Sequence, residues 1–330
     1  MPEGIRTCDA PQCSACGAAG AVLYRDLEDR LFGIPGRWSL LRCDACARVW
    51  LSPRPEASEI AKLYAGYHTH EDEAPPGPLQ RAVRHGIPAA LLGYDAPGLG
   101  ARLLAQIGPL REAGLRSALG LGADLRGRLL DVGCGAGLLL QTMRDLGWEV
   151  SGTEIDAEAA AVARQRLAGA VIHEGRVEDL ALDPAHYQAV TLVHVIEHLL
   201  DPVATLRACA RLLAPGGRIA LVTPNAASLG RREFGVHWRG WEPPRHIQVW
   251  ELASLCRLAE EAGLRVCAAS TGSSAAFFLY RESARLRGDA PSTLRALAFW
   301  MREYRRVRRG EDCGEELLLI AESATSEAAR

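Results

Sequence analysis

The fold is decided by the stretch Leu129-Leu130-Asp131-Val132-Gly133-Cys134-Gly135-Ala136-Gly137-Leu138-Leu139-Leu140. A short apolar run ends in an aspartate, a loop with three glycines follows, and a second apolar segment begins. This order predicts a strand, a tight turn and a helix, because glycine allows positive φ and a close approach of the backbone to a ligand. The first N–H groups of such a helix are free to bind anions. The stretch therefore predicts a nucleotide-cofactor loop, and a glycine-rich turn in an ordinary α/β sheet is the alternative.

The spacing of the glycines distinguishes two kinds of cofactor loop. Here they read G-x-G-x-G, whereas a dinucleotide-binding loop reads G-x-G-x-x-G. With the preceding Asp131, the spacing resembles the first motif of class I S-adenosylmethionine-dependent methyltransferases. The resemblance implies an α/β fold with a Rossmann-like, seven-stranded methyltransferase sheet and an S-adenosyl-L-methionine cofactor. The same spacing disfavours a nicotinamide-dependent oxidoreductase.

Strands and helices alternate regularly after the glycine loop, which supports the resemblance over about two thirds of the chain. Such alternation predicts a parallel sheet that is covered on both faces. The resemblance adds that the last strand lies antiparallel beside the fifth. The predicted strands cover 128–132, 149–153, 171–173, 189–194, 218–223, 264–269 and 315–321, and the predicted helices cover 138–146, 156–168, 202–213 and 252–262.

Length and composition limit the function classes. The chain has 330 residues, of which 48% are hydrophobic and 24% are charged, as is usual for a globular protein. Its formal net charge of -2 predicts no general affinity for nucleic acid or anionic membranes. No apolar run reaches the ~18 residues that a membrane span needs, and the N-terminus lacks a secretion-signal pattern. We therefore expect a cytoplasmic enzyme.

Four of the ten cysteines form two C-x2-C pairs, Cys13 with Cys16 and Cys43 with Cys46. Each pair can present two thiolates from one turn, and two such turns complete a tetrahedral zinc site. A segment this short can hardly build its own core, so the metal would supply much of its folding free energy. We expect residues 1–55 to form a zinc-ribbon module with a structural Zn²⁺, and chance spacing is the alternative.

The remainder of the chain divides where the pattern changes. Residues 56–122 are predicted to be a helical linker, cap or lid over the cofactor cleft, and 68–78 is an acidic, proline-rich linker within it. Residues 123–330 are predicted to be the methyltransferase domain, with a substrate loop over 224–250 and a helical insertion over 275–312. The insertion is rich in arginine and in apolar side chains. Its role stays open among four alternatives: a lid, a dimer face, a surface that docks on a carrier protein or membrane, and a solvated basic helix.

The resemblance assigns the cofactor contacts. Glu154 ends the second strand, where a carboxylate accepts hydrogen bonds from both ribose hydroxyls. Val177 and Glu178 follow the third strand and take the adenine positions, although an ordinary acidic loop is an equal alternative for Glu178. Asp131 and Gly133 face the methionine end. The expected cofactor-binding residues are Asp131, Gly133, Cys134, Gly135, Gly137, Glu154, Ile155, Val177, Glu178 and His194.

The fourth strand ends in His194-Val195-Ile196-Glu197-His198, which resembles the Glu-His signature of many small-molecule methyltransferases. Open α/β sheets bind their ligands at this edge. His194, Glu197 and His198 could also surround one divalent ion, as a similar constellation does in some relatives. We favour a metal-free site, because the sequence assures no fourth ligand.

The connection after the fifth strand contains the run His237-Trp238-Arg239-Gly240-Trp241-Glu242-Pro243-Pro244-Arg245-His246. The family places a similar run beside the substrate. Trp238 and Trp241 offer a stacking wall, and Arg239 or Arg245 offers an anion clamp. His246 is a candidate base, with packing of Pro-Arg-His on the sheet as the alternative. The expected catalytic residues are His198, His246 and Glu197.

These motifs predict a methyltransferase that acts on an oxygen, nitrogen or carbon atom of a small molecule. We expect a sugar or specialised metabolite as acceptor, free or carrier-bound. A homodimer or docking on a carrier protein is also expected, without a stable nucleic-acid partner. A nucleic-acid methyltransferase is the first alternative, disfavoured by the net charge and by the lack of an N-P-P-Y-like run after the fourth strand. A non-catalytic cofactor-binding scaffold is the second, disfavoured by the intact glycines and Glu154.

Overall fold

The computed structural model describes residues 4–64, 77–95 and 98–324. Most of the predicted linker over 68–78 lies outside these ranges. The strands are β1 Thr7–Cys8, β2 Ala21–Leu27, β3 Trp38–Arg42, β4 Val49–Ser52, β5 Arg54–Pro55, β6 Arg128–Val132, β7 Glu149–Glu154, β8 Val171–Glu174, β9 Tyr187–Val193, β10 Leu213–Pro224, β11 Gln248–Val249, β12 Leu264–Gly272 and β13 Glu316–Ser323. The α-helices are α1 Pro78–Arg81, α2 Ile87–Leu91, α3 Leu99–Leu104, α4 Gly108–Ser117, α5 Leu138–Asp145, α6 Ala157–Arg166, α7 Pro202–Leu212, α8 Leu229–Phe234, α9 Leu252–Glu261, α10 Ala276–Arg287 and α11 Thr293–Val307.

The central sheet has seven strands in the order β12-β13-β10-β9-β6-β7-β8. Neighbours from β10 to β8 pair in parallel, and β13 is antiparallel to both β10 and β12. This confirms the predicted sheet, including the antiparallel last strand beside the fifth. Most of the strands have bounds that differ from the prediction by a few residues. β9 stops at Val193, so His194 lies beyond it, and β10 begins at Leu213 with a shift in its pairing to β9 before Arg218.

The core lies on both faces of this sheet. Alternate residues of a strand point to opposite faces, so Leu130 packs with α7 and α9 while Leu129 packs with α5 and α6. Both leucines are fully buried. The continuous apolar runs of β6 and β9 follow from this double burial, which is typical of parallel sheets. Such a sheet brings the carboxyl ends of its parallel strands to one edge.

The N-terminal segment forms a second sheet, in the order β11-β4-β3-β2. Its edge strand β11 comes from the predicted substrate loop, and Gln248 pairs with Trp50. The two parts also share one apolar cluster, in which Trp38 and Leu51 pack with Trp238 and Trp241. A segment of this size buries too little apolar surface by itself. The sheet therefore crosses the boundary predicted at residue 55.

The predicted helical segments are present with changed bounds. Residues Ala57–Leu63 form a 3₁₀ helix, and α1 to α4 lie in the described remainder of the predicted linker, with a π-helix at Ala82–Gly86 between α1 and α2. The insertion consists of α10 and α11, which pack through Tyr280 and Phe299 with ring centroids 5.0 Å apart. Among the helices in the described ranges, none is both long enough and apolar enough to cross a membrane.

Candidate active site

The glycine loop joins β6 to α5 at the carboxyl edge of the sheet. Its glycines have φ of 67° at Gly133, 52° at Gly135 and 78° at Gly137, a conformation that costs other residues about 1–2 kcal/mol. A methyl group on Gly133 would lie 2.7 Å from Val195, and one on Gly137 would lie 2.7 Å from Leu167. One on Gly135 would meet no atom within 4 Å. Packing therefore requires the outer two glycines, whereas Gly135 borders open space.

Glu154 ends β7 and lies against this open part of the loop. Its carboxylate accepts hydrogen bonds from the backbone N–H groups of Gly135 at 2.8 Å, Ile155 at 2.8 Å and Asp156 at 3.0 Å. A carboxylate has about four acceptor positions, so these bonds orient it without exhausting it. Ile155 is exposed beside it. The structure thus places the predicted ribose-binding residue at the glycine loop, and the residues present fit the sugar of a nucleoside cofactor.

Asp131 and Cys134 are buried below the loop. The Asp131 carboxylate accepts a 2.6 Å hydrogen bond from the Thr191 hydroxyl. Burial raises the pKa of Asp131 to about 7 even though that bond favours the charged form. Burial also raises the pKa of the Cys134 thiol, and the neighbouring Asp131 and Glu154 raise it further. These surroundings disfavour the thiolate that a nucleophilic cysteine needs.

The predicted adenine residues follow β8, as expected, but their side chains are occupied by the protein. Val177 is buried in the core beside α7. The Glu178 carboxylate accepts a hydrogen bond from the Thr205 hydroxyl on α7 and lies 3.4 Å from the Arg176 guanidinium. In this conformation the loop offers its backbone to a base more readily than the Glu178 side chain.

His194 has φ of 54°, in the left-handed region, directly after β9. Its Nδ1 lies 3.2 Å from Glu197 and its Nε2 lies 3.1 Å from Glu316. Desolvation opposes the charged imidazole, but the two carboxylates outweigh it and raise the pKa of His194 to about 10. An imidazolium has no free lone pair. Both ring nitrogens of His194 are thus occupied by carboxylates of the protein, and among the described residues His194 does not group with Glu197 and His198 as candidate metal ligands.

A different set of predicted residues is brought together at this edge. The ligand atoms of Glu197, His198 and His246 all lie within 4.8 Å of one another. Glu197 is fully buried and accepts a 2.9 Å hydrogen bond from the Thr223 hydroxyl. Burial works against the Glu197 carboxylate, but the hydrogen bond from His194 outweighs it and lowers its pKa to about 2. All three residues that the sequence proposed as catalytic are therefore neighbours.

The two tryptophans of the substrate loop are buried, which corrects the expectation of an exposed stacking wall. Trp238 and Trp241 are each 1% exposed and stack edge-to-face with centroids 4.9 Å apart. The Trp238 indole donates to Glu315 at 2.7 Å, and the Trp241 indole donates to the Gly235 carbonyl at 3.0 Å. They are drawn inward because they complete the apolar core of the N-terminal sheet.

Arg245 is likewise inaccessible, which corrects its expected part as an anion clamp. Its guanidinium is fully buried, lies 3.4 Å from Asp29 and 2.8 Å from Glu242, and stacks 3.7 Å from the Phe32 ring centroid. Burial of a guanidinium requires such pairing, and the protein's own carboxylates supply it. Arg239 also pairs with Glu242, although its side chain retains 18% exposure.

Several residues of this region were missed by the sequence analysis. Thr191 and Thr223 interrupt apolar strands, and a polar residue in such a run is a usable sign of a buried hydrogen bond. The pairing of Asp29 could not be recognised from the sequence, because its partner Arg245 lies 216 positions away. Glu315 and Glu316 were assigned only to a strand.

The four predicted zinc ligands lie together, in the turn before β2 and the turn that joins β3 to β4. The Cys13 and Cys46 sulfurs are 3.5 Å apart, as are those of Cys16 and Cys43, and all four lie within 4.8 Å of one another. Zn–S bonds of about 2.3 Å in a tetrahedron separate the sulfurs by about 3.8 Å. The donor set and its spacing therefore fit one zinc ion, and these four residues are called the four-cysteine cluster below.

Comparison with known proteins identifies the family. A family model described as "Methyltransferase domain" matches residues 101–269, which include the glycine loop, Glu154 and the Glu197-His198 pair. The chain is similar to ubiquinone biosynthesis O-methyltransferases of Xanthomonas. For the Xanthomonas oryzae protein, identity is 46% over 108 residues, covering 31% of this chain and 45% of the relative. For the Xanthomonas campestris protein, identity is 46% over 156 residues, covering 42% of this chain and 65% of the relative.

The aligned part is thus less than two thirds of either relative. Among solved structures, the chain is similar to an S-adenosylmethionine dependent methyltransferase from Mesorhizobium loti. That likeness has a TM-score of 0.41 and 14% identity, and it covers 59% of this chain and 90% of the other. A likeness at this level adds nothing to the family match, which covers half of the chain. On that match, the chain belongs to the methyltransferase domain family.

Proposed function

We propose that this protein transfers a methyl group from S-adenosylmethionine to a small-molecule acceptor. The observation that carries the proposal is the Glu154 carboxylate bound to the N–H of Gly135, the one glycine of the loop that faces open space. Both residues lie within the family match. An acidic residue at the end of the second strand, beside a glycine loop, suits the hydroxyls of a ribose.

We assign to each part of the cofactor the residues that would hold it. S-adenosylmethionine, when bound, supplies a methyl group that its sulfonium makes electrophilic, so that transfer is a direct displacement. Glu154 would bind the ribose, Asp131 and Gly133 would face the methionine end, and the loop with Val177 and Glu178 would lie along the adenine. The remaining work of the chain is to align the acceptor and to exclude water.

We assign Glu197, His198 and His246 to the acceptor. An oxygen or carbon acceptor loses a proton on methylation, and the three side chains form the polar group at the ligand-binding edge that can act on it. His194 is left out of this group because both of its ring nitrogens already pair with the Glu197 and Glu316 carboxylates. Among oxygen, nitrogen and carbon acceptors we favour a hydroxyl, since the relatives are named O-methyltransferases.

The four-cysteine cluster is proposed to hold a structural Zn²⁺. Four thiolates would close the coordination sphere, so this ion would stabilise the N-terminal sheet and take no part in the chemistry. The sheet in turn supports the loop that carries His246, because β11 closely follows that residue and pairs with β4. That the protein forms a homodimer or docks on a carrier protein remains a prediction. So does a sugar or specialised metabolite as the acceptor.

Binding of the demethylated product S-adenosylhomocysteine tests the proposal by titration calorimetry. Replacement Glu154→Gln removes the charged acceptor that would bind the ribose, and a hydrogen bond to a charged group contributes about 1.5–3 kcal/mol, so binding is expected to weaken at least about tenfold. Glu174→Gln is the matched control, because Glu174 ends the neighbouring strand β8 opposite Glu154 in the register and pairs only at the surface with Arg164. Wild-type affinity in Glu154→Gln, or no binding by the wild type, would refute the proposal.

A further inference from the structure

The four-cysteine cluster is open to solvent on one side. Cys16 is exposed and Cys46 is partly exposed, whereas Cys13 and Cys43 are buried. Two close sulfur contacts, each of 3.5 Å, join Cys13 to Cys46 and Cys16 to Cys43. Both contacts link the first cysteine turn, residues 13–16, to the second, residues 43–46. A reagent in water can therefore reach the cluster, and each of its cysteines has a neighbour with which it can pair.

The second cysteine turn is connected to the candidate active site by backbone hydrogen bonds. This turn joins β3 to β4. In β4, the Leu51 N–H donates to the Ile247 carbonyl at 2.9 Å, and the Ile247 N–H donates to the Glu197 carbonyl at 2.8 Å. Ile247 directly follows His246. Both segments that supply candidate catalytic residues are therefore held in place through β4.

A buried guanidinium ties the two cysteine turns to each other and to helix α9. Arg48 follows the second turn, and its side chain is 4% exposed. It donates to the hydroxyl of Ser14, in the first turn, at 3.2 Å, and it pairs with Glu261 at the end of α9 at 3.4 Å. A buried cation is destabilising when it loses its partners. A displacement of either turn therefore disturbs the packing of the N-terminal sheet on α9.

We propose that the four-cysteine cluster is a site of reversible oxidation that controls the acceptor site. A peroxide oxidises the four thiolates to two disulfides, one along each of the close sulfur contacts. The cluster then releases its Zn²⁺, because the ion is bound by thiolates and not by disulfides. The two turns shift, and β4 no longer holds Ile247 in place. The oxidation is independent of the proposed function, and only its effect on the acceptor site rests on that function.

The chemistry balances with hydrogen peroxide as the oxidant. One thiolate attacks a peroxide oxygen, the O–O bond breaks, and a sulfenic acid forms while the other oxygen leaves as hydroxide. The neighbouring thiolate then attacks the sulfenic sulfur, which forms the S–S bond and displaces a second hydroxide. Both hydroxides take protons from the solvent. Each disulfide therefore consumes one peroxide, which is reduced to two water molecules.

Zinc release tests the site without cofactor or acceptor. The reduced, zinc-loaded full chain is treated with hydrogen peroxide beside a chromogenic zinc chelator. It is expected to release one Zn²⁺ per chain, and none without peroxide, and peptide mass spectrometry should find both disulfides between the two turns. A dithiol reductant with added Zn²⁺ should restore the starting state. Cys267→Ser is the matched control, because Cys267 is exposed on β12 outside the cluster, and it should behave as the wild type.

Hydrogen exchange of single backbone amides in the wild type reports on the acceptor site. Oxidation is expected to raise the exchange rate of the Ile247 amide at least about tenfold, because its bond to the Glu197 carbonyl is then lost. The amides of β6 should stay protected, since β6 lies inside the central sheet. A local change at Ile247 is thereby distinguished from unfolding of the whole chain.

Several results would overturn the proposal. They are a reduced chain that holds no zinc, retention of zinc in peroxide, disulfides found only within each cysteine turn, and an unchanged exchange rate at Ile247. Equal loss of protection in β6 would also overturn it, since oxidation would then unfold the whole chain. If all the expected effects occur but the reduced chain does not bind S-adenosylhomocysteine, the oxidation site stands and the proposed function falls instead.

Discussion

The glycine loop yields a prediction about two similar substitutions, one of which should mainly weaken cofactor binding and the other mainly lower stability. Gly135→Ala and Gly137→Ala both place an alanine at positive φ, with φ of 52° and 78°. That conformation costs an alanine about 1–2 kcal/mol. The added methyl group meets nothing within 4 Å at Gly135, whereas at Gly137 it lies 2.7 Å from the buried Leu167 side chain. Overpacking of this kind costs about 1–3 kcal/mol more.

The expected free energies of unfolding therefore differ. Gly135→Ala should lose about 1–2 kcal/mol and Gly137→Ala about 2–5 kcal/mol, as sums of these two terms. Binding should follow the reverse order. The methyl group of Gly135→Ala projects into the space beside Glu154, so affinity for S-adenosylhomocysteine should fall at least about tenfold. Gly137→Ala, once folded, should bind within about threefold of the wild type, because its methyl group faces α6 and Leu167.

Urea denaturation gives the stabilities, and titration calorimetry gives the affinities. Product binding by Gly135→Ala as tight as that of the wild type would refute the prediction, since the open space beside Gly135 would then not be the cofactor's. A loss of stability in Gly137→Ala no larger than in Gly135→Ala would refute it equally, since the packing against Leu167 would then be without consequence.

Three further predictions concern groups outside the loop. Cys43→Ser should lose the metal of the four-cysteine cluster, measured by mass spectrometry, because Cys43 is one of its four sulfurs. Asp29→Asn should lower the free energy of unfolding by about 3 kcal/mol in urea, because it weakens a buried ion pair with Arg245, while equal stability would show that Glu242 suffices. Burial and the neighbouring Glu315 raise the pKa of Glu303 above its ordinary value of 4.5. Between these two pKa values the folded chain keeps a proton on Glu303 that the unfolded chain releases. The free energy of unfolding therefore falls as the pH rises toward the raised pKa. Glu303→Gln should flatten that fall in thermal denaturation between neutral and mildly alkaline pH, and an unchanged slope would contradict it.

Most of the sheet could be predicted, because its strands and turns are indicated by patterns within short stretches of the sequence. The apolar runs of β6 and β9 and the glycines between β6 and α5 report burial and turn geometry within a few residues. The placement of Glu154 also followed from its distance along the chain and from the family resemblance. The end of β9 was placed one residue late, because His194 adopts a left-handed conformation that its sequence did not signal.

The substrate loop shows where such prediction stops. Trp238, Trp241 and Arg245 are residue types that are common on binding surfaces. Residue type alone does not show whether a side chain lines a pocket or packs in the core. Their burial follows from packing on the N-terminal sheet, whose residues lie some two hundred positions earlier in the chain. The same long-range packing brought His246 to Glu197 and His198.

The sequence by itself determined the glycine loop, the alternation of strands and helices, and the two cysteine pairs, because each depends on backbone geometry or on spacing within a short segment. Only the tertiary structure decided which side chains pair. It joined β11 to the N-terminal sheet, enclosed Arg245 between Asp29 and Glu242, and brought the side chains of Glu197, His198 and His246 together. The physical reason is that a buried polar group takes its partner from whatever the fold brings near, at any distance along the chain.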